Sequence, residues 1–125
     1  MAYSRKKSRE IVFRMLFSQT ECLSLACEDA ELPTGLELEY INNLYKVATE
    51  NLATIDEMIS KSCKGFALDR IYKTDLTAIR LCVAEIKYTQ IQPGIAINEA
   101  IEIAKKYGTE KSATFVHGVL GKVVG

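Results

Sequence analysis

Few side chains in this sequence are equipped for making and breaking bonds. His117 is the only histidine and so the obvious base for a nucleophile. It lies beside Gly118 on an apolar segment and reads as a half-buried packing residue. Neighbouring carboxylates occur at Glu28 and Asp29 and at Asp56 and Glu57, in a loop or on a solvated face. Cys22, Cys27, Cys63 and Cys82 contain no CxxC pair, whereas a zinc site needs about four N or S ligands at short paired spacings. They read as free thiols of a reducing compartment. Neither a P-loop nor a GxGxxG fingerprint is present, so nothing indicates a phosphate cradle. These residues predict no enzyme, no metal and no cofactor.

Binding chemistry has better support. Residues 1–14 carry Arg5, Lys6, Lys7, Arg9 and Arg14 against Glu10, a balance of +4. Residues 20–60 carry a balance of −8, and residues 61–125 one of +4. The zero net charge therefore hides a segregation compatible with a polyanionic partner. On a helix, Ile11, Val12, Met15 and Leu16 form one apolar stripe. Lys6, Arg9, Phe13 and Phe17 cluster on another side, expected to be partly exposed. Cations there neutralise phosphates with release of counterions, and an exposed phenylalanine offers a base a stacking platform. The competing reading is a solubilising end above two core phenylalanines.

The elements that must position these residues are helical. Apolar residues make up 48% of the 125 and charged ones 26%, the balance of a globular protein rather than a disordered chain. No run approaches the roughly 18 apolar residues of a membrane span, and the basic start does not lead into a signal-peptide core. The cytosol is the expected location. Ser4 is the expected N-cap of a first helix reaching about Cys22. Leu25–Gly35 reads as an exposed loop. Leu38, Ile41, Leu44, Tyr45 and Ala48 make one helical stripe, and Leu52, Ile55, Met58 and Ile59 another. One helix or two cover 36–63, with Asn51 a candidate cap and Lys64-Gly65 a stop. A helix over Lys73–Gln90 is apolar around most of its circumference and should be central. Gln92-Pro93-Gly94 reads as a break, followed by a helix over Ile97–Tyr107. Thr109 is the expected cap of a last helix with Val116, Val119, Leu120 and Val123 inward. The sum is an all-α bundle of five to seven helices with short connections in one domain.

Three ordered segments carry a family resemblance. Asp75-Leu76-Thr77-Ala78-Ile79-Arg80-Leu81-Cys82-Val83-Ala84-Glu85-Ile86, Ala96–Gly108 and Phe115-Val116-His117-Gly118-Val119-Leu120 resemble in turn the central helix, the "AINEAIELAK" signature and the closing "FVNGVL" of the transcription antitermination NusB family. Arg5-Lys6-Lys7-Ser8-Arg9-Glu10 resembles the basic entry motif. Only 25–65 is matched by pattern alone. Two departures are His117 in place of asparagine and the absence of a tryptophan before the central helix, where Phe66 and Ala67 stand.

The resemblance implies two small helical bundles packed together, roughly 1–65 and 66–125, and binding of boxA, a short single-stranded RNA element. It also implies pairing with NusE, a small-subunit ribosomal protein, within the RNA polymerase antitermination complex, and a free state that is a monomer or a homodimer. By position it puts Arg5, Lys6, Lys7, Arg9, Phe17, Lys111 and Phe115 on RNA, and Tyr72 and Asp75 on the NusE face. Read from the residues themselves, Arg80, Glu85 and Glu99 suit an internal ion pair or cap, Asn98 a helix start where it satisfies backbone groups, Phe115 either plain core or the RNA face, and Gly118 and Gly121 close helix packing. Rival readings are a helical protein-interaction module and a domain like those fused to ribosomal RNA methyltransferases.

Overall fold

The computed structural model describes residues 5–20, 32–63 and 67–124. Among them are six α-helices and no strand, as the all-α expectation requires. They are α1 (Arg5–Ser18), α2 (Gly35–Glu50), α3 (Leu52–Ser62), α4 (Lys73–Tyr88), α5 (Pro93–Tyr107) and α6 (Ser112–Val124), with a 3₁₀ turn at Leu68–Arg70 before α4. Ser4, Cys22, Cys27, Phe66, the Lys64-Gly65 stop and most of the 25–35 loop lie outside the described residues.

The helix boundaries follow local chemistry. Helix α1 stops at Ser18, short of the expected Cys22, because Gln19 takes a left-handed φ of 55°. The Thr20 N–H then donates to the Met15 carbonyl at 3.0 Å, closing a Schellman-type end. Residues 36–63 form two helices. At their junction the Asn51 side-chain amide donates to the Val47 carbonyl at 2.8 Å, so Asn51 closes α2 rather than capping α3. Helix α5 begins a turn earlier than expected: Pro93 occupies its first position, where a missing N–H is harmless and φ is already helical. The expected break is thus a start, and Asn98 lies inside the helix, exposed.

Thr109 caps α6 as expected. Its Oγ1 accepts from the Lys111 N–H at 3.3 Å, while its own N–H donates to Ser112 Oγ at 2.8 Å. This reciprocal pair satisfies two otherwise orphaned donors. Gly108 lies so close to the Ser112 side chain that a Cβ would collide with it.

Helix α4 is the axis of the molecule, touching α1, α2, α3, α5 and α6. Eleven of its residues are buried, including Leu76, Ala78, Ile79, Leu81, Val83 and Ala84. Around it close Ile11, Val12 and Met15 of α1, Ile41 and Leu44 of α2, Ile55 and Ile59 of α3, Ala100 and Ala104 of α5, and Val116 and Leu120 of α6. Leu52 and Tyr45, assigned to the inward stripes, sit at the margin.

Candidate nucleic-acid interface

The basic entry helix α1 divides its cations between surface and core. Arg5 and Lys6 are exposed, and Lys7 is half-buried. Arg9 departs from the sequence expectation: only 5% of it is exposed. Its Nε and Nη2 donate to the two carboxylate oxygens of Glu85 at 2.7 and 2.8 Å, a bidentate pair across 76 residues of sequence. The physical reason is the position of Glu85, 2% exposed on the central helix, where an unpaired carboxylate would carry a heavy desolvation cost. Arg9 is therefore committed to α4 and does not reach a phosphate on the surface.

Two more side chains complete this junction. The Tyr40 hydroxyl of α2 donates to Glu85 Oε2 at 2.6 Å, and Glu99 of α5 stands 3.7 Å from Arg9. Burial opposes the Arg9 charge most strongly, yet the Glu85 hydrogen bonds together with the electrostatic attraction of Tyr40, Glu85 and Glu99 outweigh it and raise the guanidinium above its ordinary range. Burial and the carboxylate of Glu85 push the Tyr40 phenol up, so it stays a donor. The Arg5 guanidinium lies 3.9 Å from the centre of the Tyr40 ring, a cation–π contact of about 0.5–1 kcal/mol at an exposed site. Thus the tyrosine whose hydroxyl bonds Glu85 also lays its ring against Arg5. Burial likewise pushes the neighbouring Cys82 thiol up to about 12.

The aromatic face of α1 is also split. Phe13, expected at the surface, is 2% exposed and stacks on Tyr107 at 4.9 Å and Phe17 at 6.0 Å. Phe17 is half-buried and has the Lys73 ammonium 4.6 Å from its ring centre. Tyr107 ties this stack to charge: its hydroxyl donates to Glu10 Oε1 at 2.7 Å and accepts from Arg14 Nη2 at 2.6 Å. Lys106 donates to the same Glu10 oxygen at 2.6 Å. Partial burial alone would raise the Glu10 carboxyl, but these donors outweigh it and hold it below the ordinary range.

On α6, Lys111 is exposed just ahead of the first turn and Phe115 is half-buried against the core. His117 is exposed rather than half-buried, and a Cβ at Gly118 or Gly121 would meet nothing within 4 Å among the described residues. These glycines therefore do not serve helix packing. Of the two residues assigned to a protein partner, Tyr72 is 58% exposed, whereas Asp75 is 6% exposed and its Oδ1 has no hydrogen-bond partner among the described residues. Burial inside the first turn of α4 leaves Asp75 little surface to offer. Arg80 pairs in two-pronged fashion with Asp56 at 2.8 and 2.9 Å, an internal ion pair as expected. Sequence reasoning missed Tyr40 and Tyr107; both lie far in sequence from the cations they organise, and no spacing rule joins them.

Among the described residues no helix is long and apolar enough to cross a membrane, and no cluster of three metal-ligating side chains forms.

Residues 6–125 match the family model described as the NusB family. A transcription antitermination protein NusB of Clostridium botulinum (strain Kyoto / Type A2) is 37% identical over 142 aligned positions, covering 97% of this chain and 99% of the relative. Its counterpart in Agathobacter rectalis is 39% identical over 128 positions, covering 95% and 98%. Among solved structures, T. maritima NusB superposes with a TM-score of 0.86 at 32% identity, covering 98% of this chain and 92% of the other. The crystal structure of antitermination factors NusB and NusE in complex with dsRNA contains a chain that superposes with a TM-score of 0.82 at 28% identity, covering 95% and 94%.

Proposed function

This chain belongs to the NusB family, a family of transcription antitermination factors and not of enzymes, and from that premise we propose that it binds a single-stranded, boxA-like RNA together with NusE. In this role it joins the RNA polymerase antitermination complex and favours processive transcription of ribosomal RNA. The observation that carries the RNA reading is the exposed Arg5–Lys6 end of α1, oriented by Tyr40 and seated on the buried Arg9–Glu85 pair. The solved NusB–NusE complex with dsRNA supports both partner classes.

The mechanism is attachment rather than chemistry. Arg5, Lys6 and Lys111 neutralise phosphates, and Lys7 borders the same end. The half-buried rings of Phe17 and Phe115 offer edges or faces to bases. Arg9 acts from below, holding α1 against α2, α4 and α5 so that its cations project from a fixed helix instead of a fraying end. Exposed Tyr72, at the start of α4, is the residue we assign to the NusE face. The chain is read as one RNA-binding domain.

The test is RNA affinity as a function of salt, with a boxA-like oligonucleotide and an unrelated oligonucleotide of equal length. The expected result is preferential, salt-sensitive binding of the boxA-like RNA, strengthened by NusE. Equal binding of both oligonucleotides would remove the sequence-specific part of the reading. A mass measurement with and without NusE then distinguishes a free monomer from a homodimer.

A further inference from the structure

One face of α6 continues past the residues already assigned. Lys111, Phe115, Gly118 and Lys122 are spaced by four, three and four, so they stack along one side of the helix. Opposite them lies the end of α3, and between the two helices opens a groove of about 620 Å³. Lys61 and Ser62 form one wall, and Phe115, Gly118, Val119 and Lys122 the other.

Among the described residues, no packing contact requires glycine at 118. Gly118 lies inside α6, its φ is not left-handed, and a Cβ there would meet no described atom within 4 Å. Glycine is among the poorest helix formers, so the position carries a cost without a packing return. What the missing side chain does is leave the helix backbone open to the groove beside the half-buried Phe115 ring. The charge of the groove is one-sided. Lysines stand on both walls and, among the described residues, no carboxylate lines it. Lys61 has Glu57 at 3.2 Å, but both are well exposed, and such a surface pair yields readily to a competing anion. The Cys63 thiol at the base is raised by burial and adds no negative charge. The cleft between α1 and α5 is different, since Glu10, Glu99 and Glu102 line it opposite Lys6, Arg9 and Lys106, and its charges offset one another.

We propose that the α3–α6 groove is a subsite for one further nucleotide of the single-stranded RNA, its base lying on Phe115 over Gly118 and its phosphate between Lys61 and Lys122. The subsite extends the path from Lys111 along α6 and rests on the RNA reading given above. Phe115 supplies the stacking surface, the bare backbone at Gly118 admits the edge of the base, and the two ammonium groups close over the phosphate.

The full chain is tested with a boxA-like oligonucleotide across a salt series, comparing Gly118→Leu, Gly118→Ala and Lys122→Gln with an Arg5→Gln/Lys6→Gln variant. Gly118→Leu fills the groove and weakens binding about tenfold, the scale of one lost base–aromatic stack, while its melting temperature does not fall. Gly118→Ala puts a methyl group where the edge of the base lies and weakens binding by less than Gly118→Leu, although in the free chain that methyl meets no described atom within 4 Å. Lys122→Gln lowers the slope of log affinity against log salt by about 0.7, the value for one phosphate contact on a single strand. If Gly118→Leu and Lys122→Gln bind like wild type while the Arg5/Lys6 variant is weakened, the subsite is wrong and the α1 assignment survives. Loss of NusE capture by Gly118→Leu with RNA affinity intact would give the groove to the protein partner and also overturn the proposal. Failure of the wild-type chain to bind RNA in a salt-dependent way would remove the underlying reading, and the subsite with it.

Discussion

The inner junction of α1 and the outer face of α6 are built from the same materials, cations beside aromatic rings, but they meet different surroundings. At the junction Arg9 is enclosed by Glu85, Tyr40 and Glu99, three residues from three other helices. On α6, Lys111 and Lys122 remain at the surface with Phe115 half-open between them. Arg5 and Arg9 make the contrast within one helix: four residues apart, one is exposed and the other is a core residue. A basic residue type therefore says little about its role. What decides it is whether the fold brings a buried acid to the same place.

This contrast gives a graded set of expectations. The largest concerns Arg9. Arg9→Met leaves the buried Glu85 carboxyl without its cation and with only the Tyr40 hydroxyl as a donor, and removing one partner of a buried pair costs about 3–5 kcal/mol, measured by equilibrium denaturation. Arg9→Met combined with Glu85→Leu should recover most of that loss, because apolar replacement of the whole pair is often neutral. If Arg9→Met were fully stable and instead abolished RNA binding, the division between inner and outer cations would be wrong. Tyr40→Phe comes next. It removes one hydrogen bond to a charged acceptor and should cost about 1.5–3 kcal/mol, while the ring that supports Arg5 stays, so RNA affinity per folded molecule holds.

The smallest effect is expected at Glu10. Its carboxyl is held below its unfolded value by Lys106 and Tyr107. Its contribution to stability is thus complete above the ordinary glutamate range and disappears as pH falls through the folded value. Glu10→Gln should flatten the acid limb of a stability–pH curve and change little between Glu10 and Gln proteins once the pH is below that limb. An acid limb identical to wild type would show that the Glu10 cluster is not coupled to folding.

The helical stripes were legible in the sequence because burial repeats with the helical period. Ile11, Val12 and Met15, then Ile41, Leu44 and Ala48, then Val116, Val119 and Leu120 all face the core as their spacing requires. The central place of α4 was legible from apolarity around its circumference. The boundaries at Ser18 and Pro93 were less so, since a left-handed Gln19 and a proline at a first helical position depend on local geometry that composition does not encode. Lys6 and Lys111 are exposed where a surface role needs them. Arg9, Phe13 and Asp75 were not separable from surface residues by pattern, because their burial depends on Glu85, Tyr107 and the packing of α4, all remote in sequence. Gly118 and Gly121 misled for the opposite reason: small residues suggest close packing, but here they face open space.

The central claim is that the cations left outside the core, and not the basic composition as such, hold the RNA. The most direct measurement is the salt dependence of affinity for a boxA-like oligonucleotide in wild type and in an Arg5→Gln/Lys6→Gln/Lys111→Gln variant. The account predicts a melting temperature lowered by no more than the few degrees that loss of the Arg5–Tyr40 contact explains, and a slope reduced by about 2, at roughly 0.7 for each of the lost phosphate contacts. Unchanged affinity and slope in that variant would contradict it.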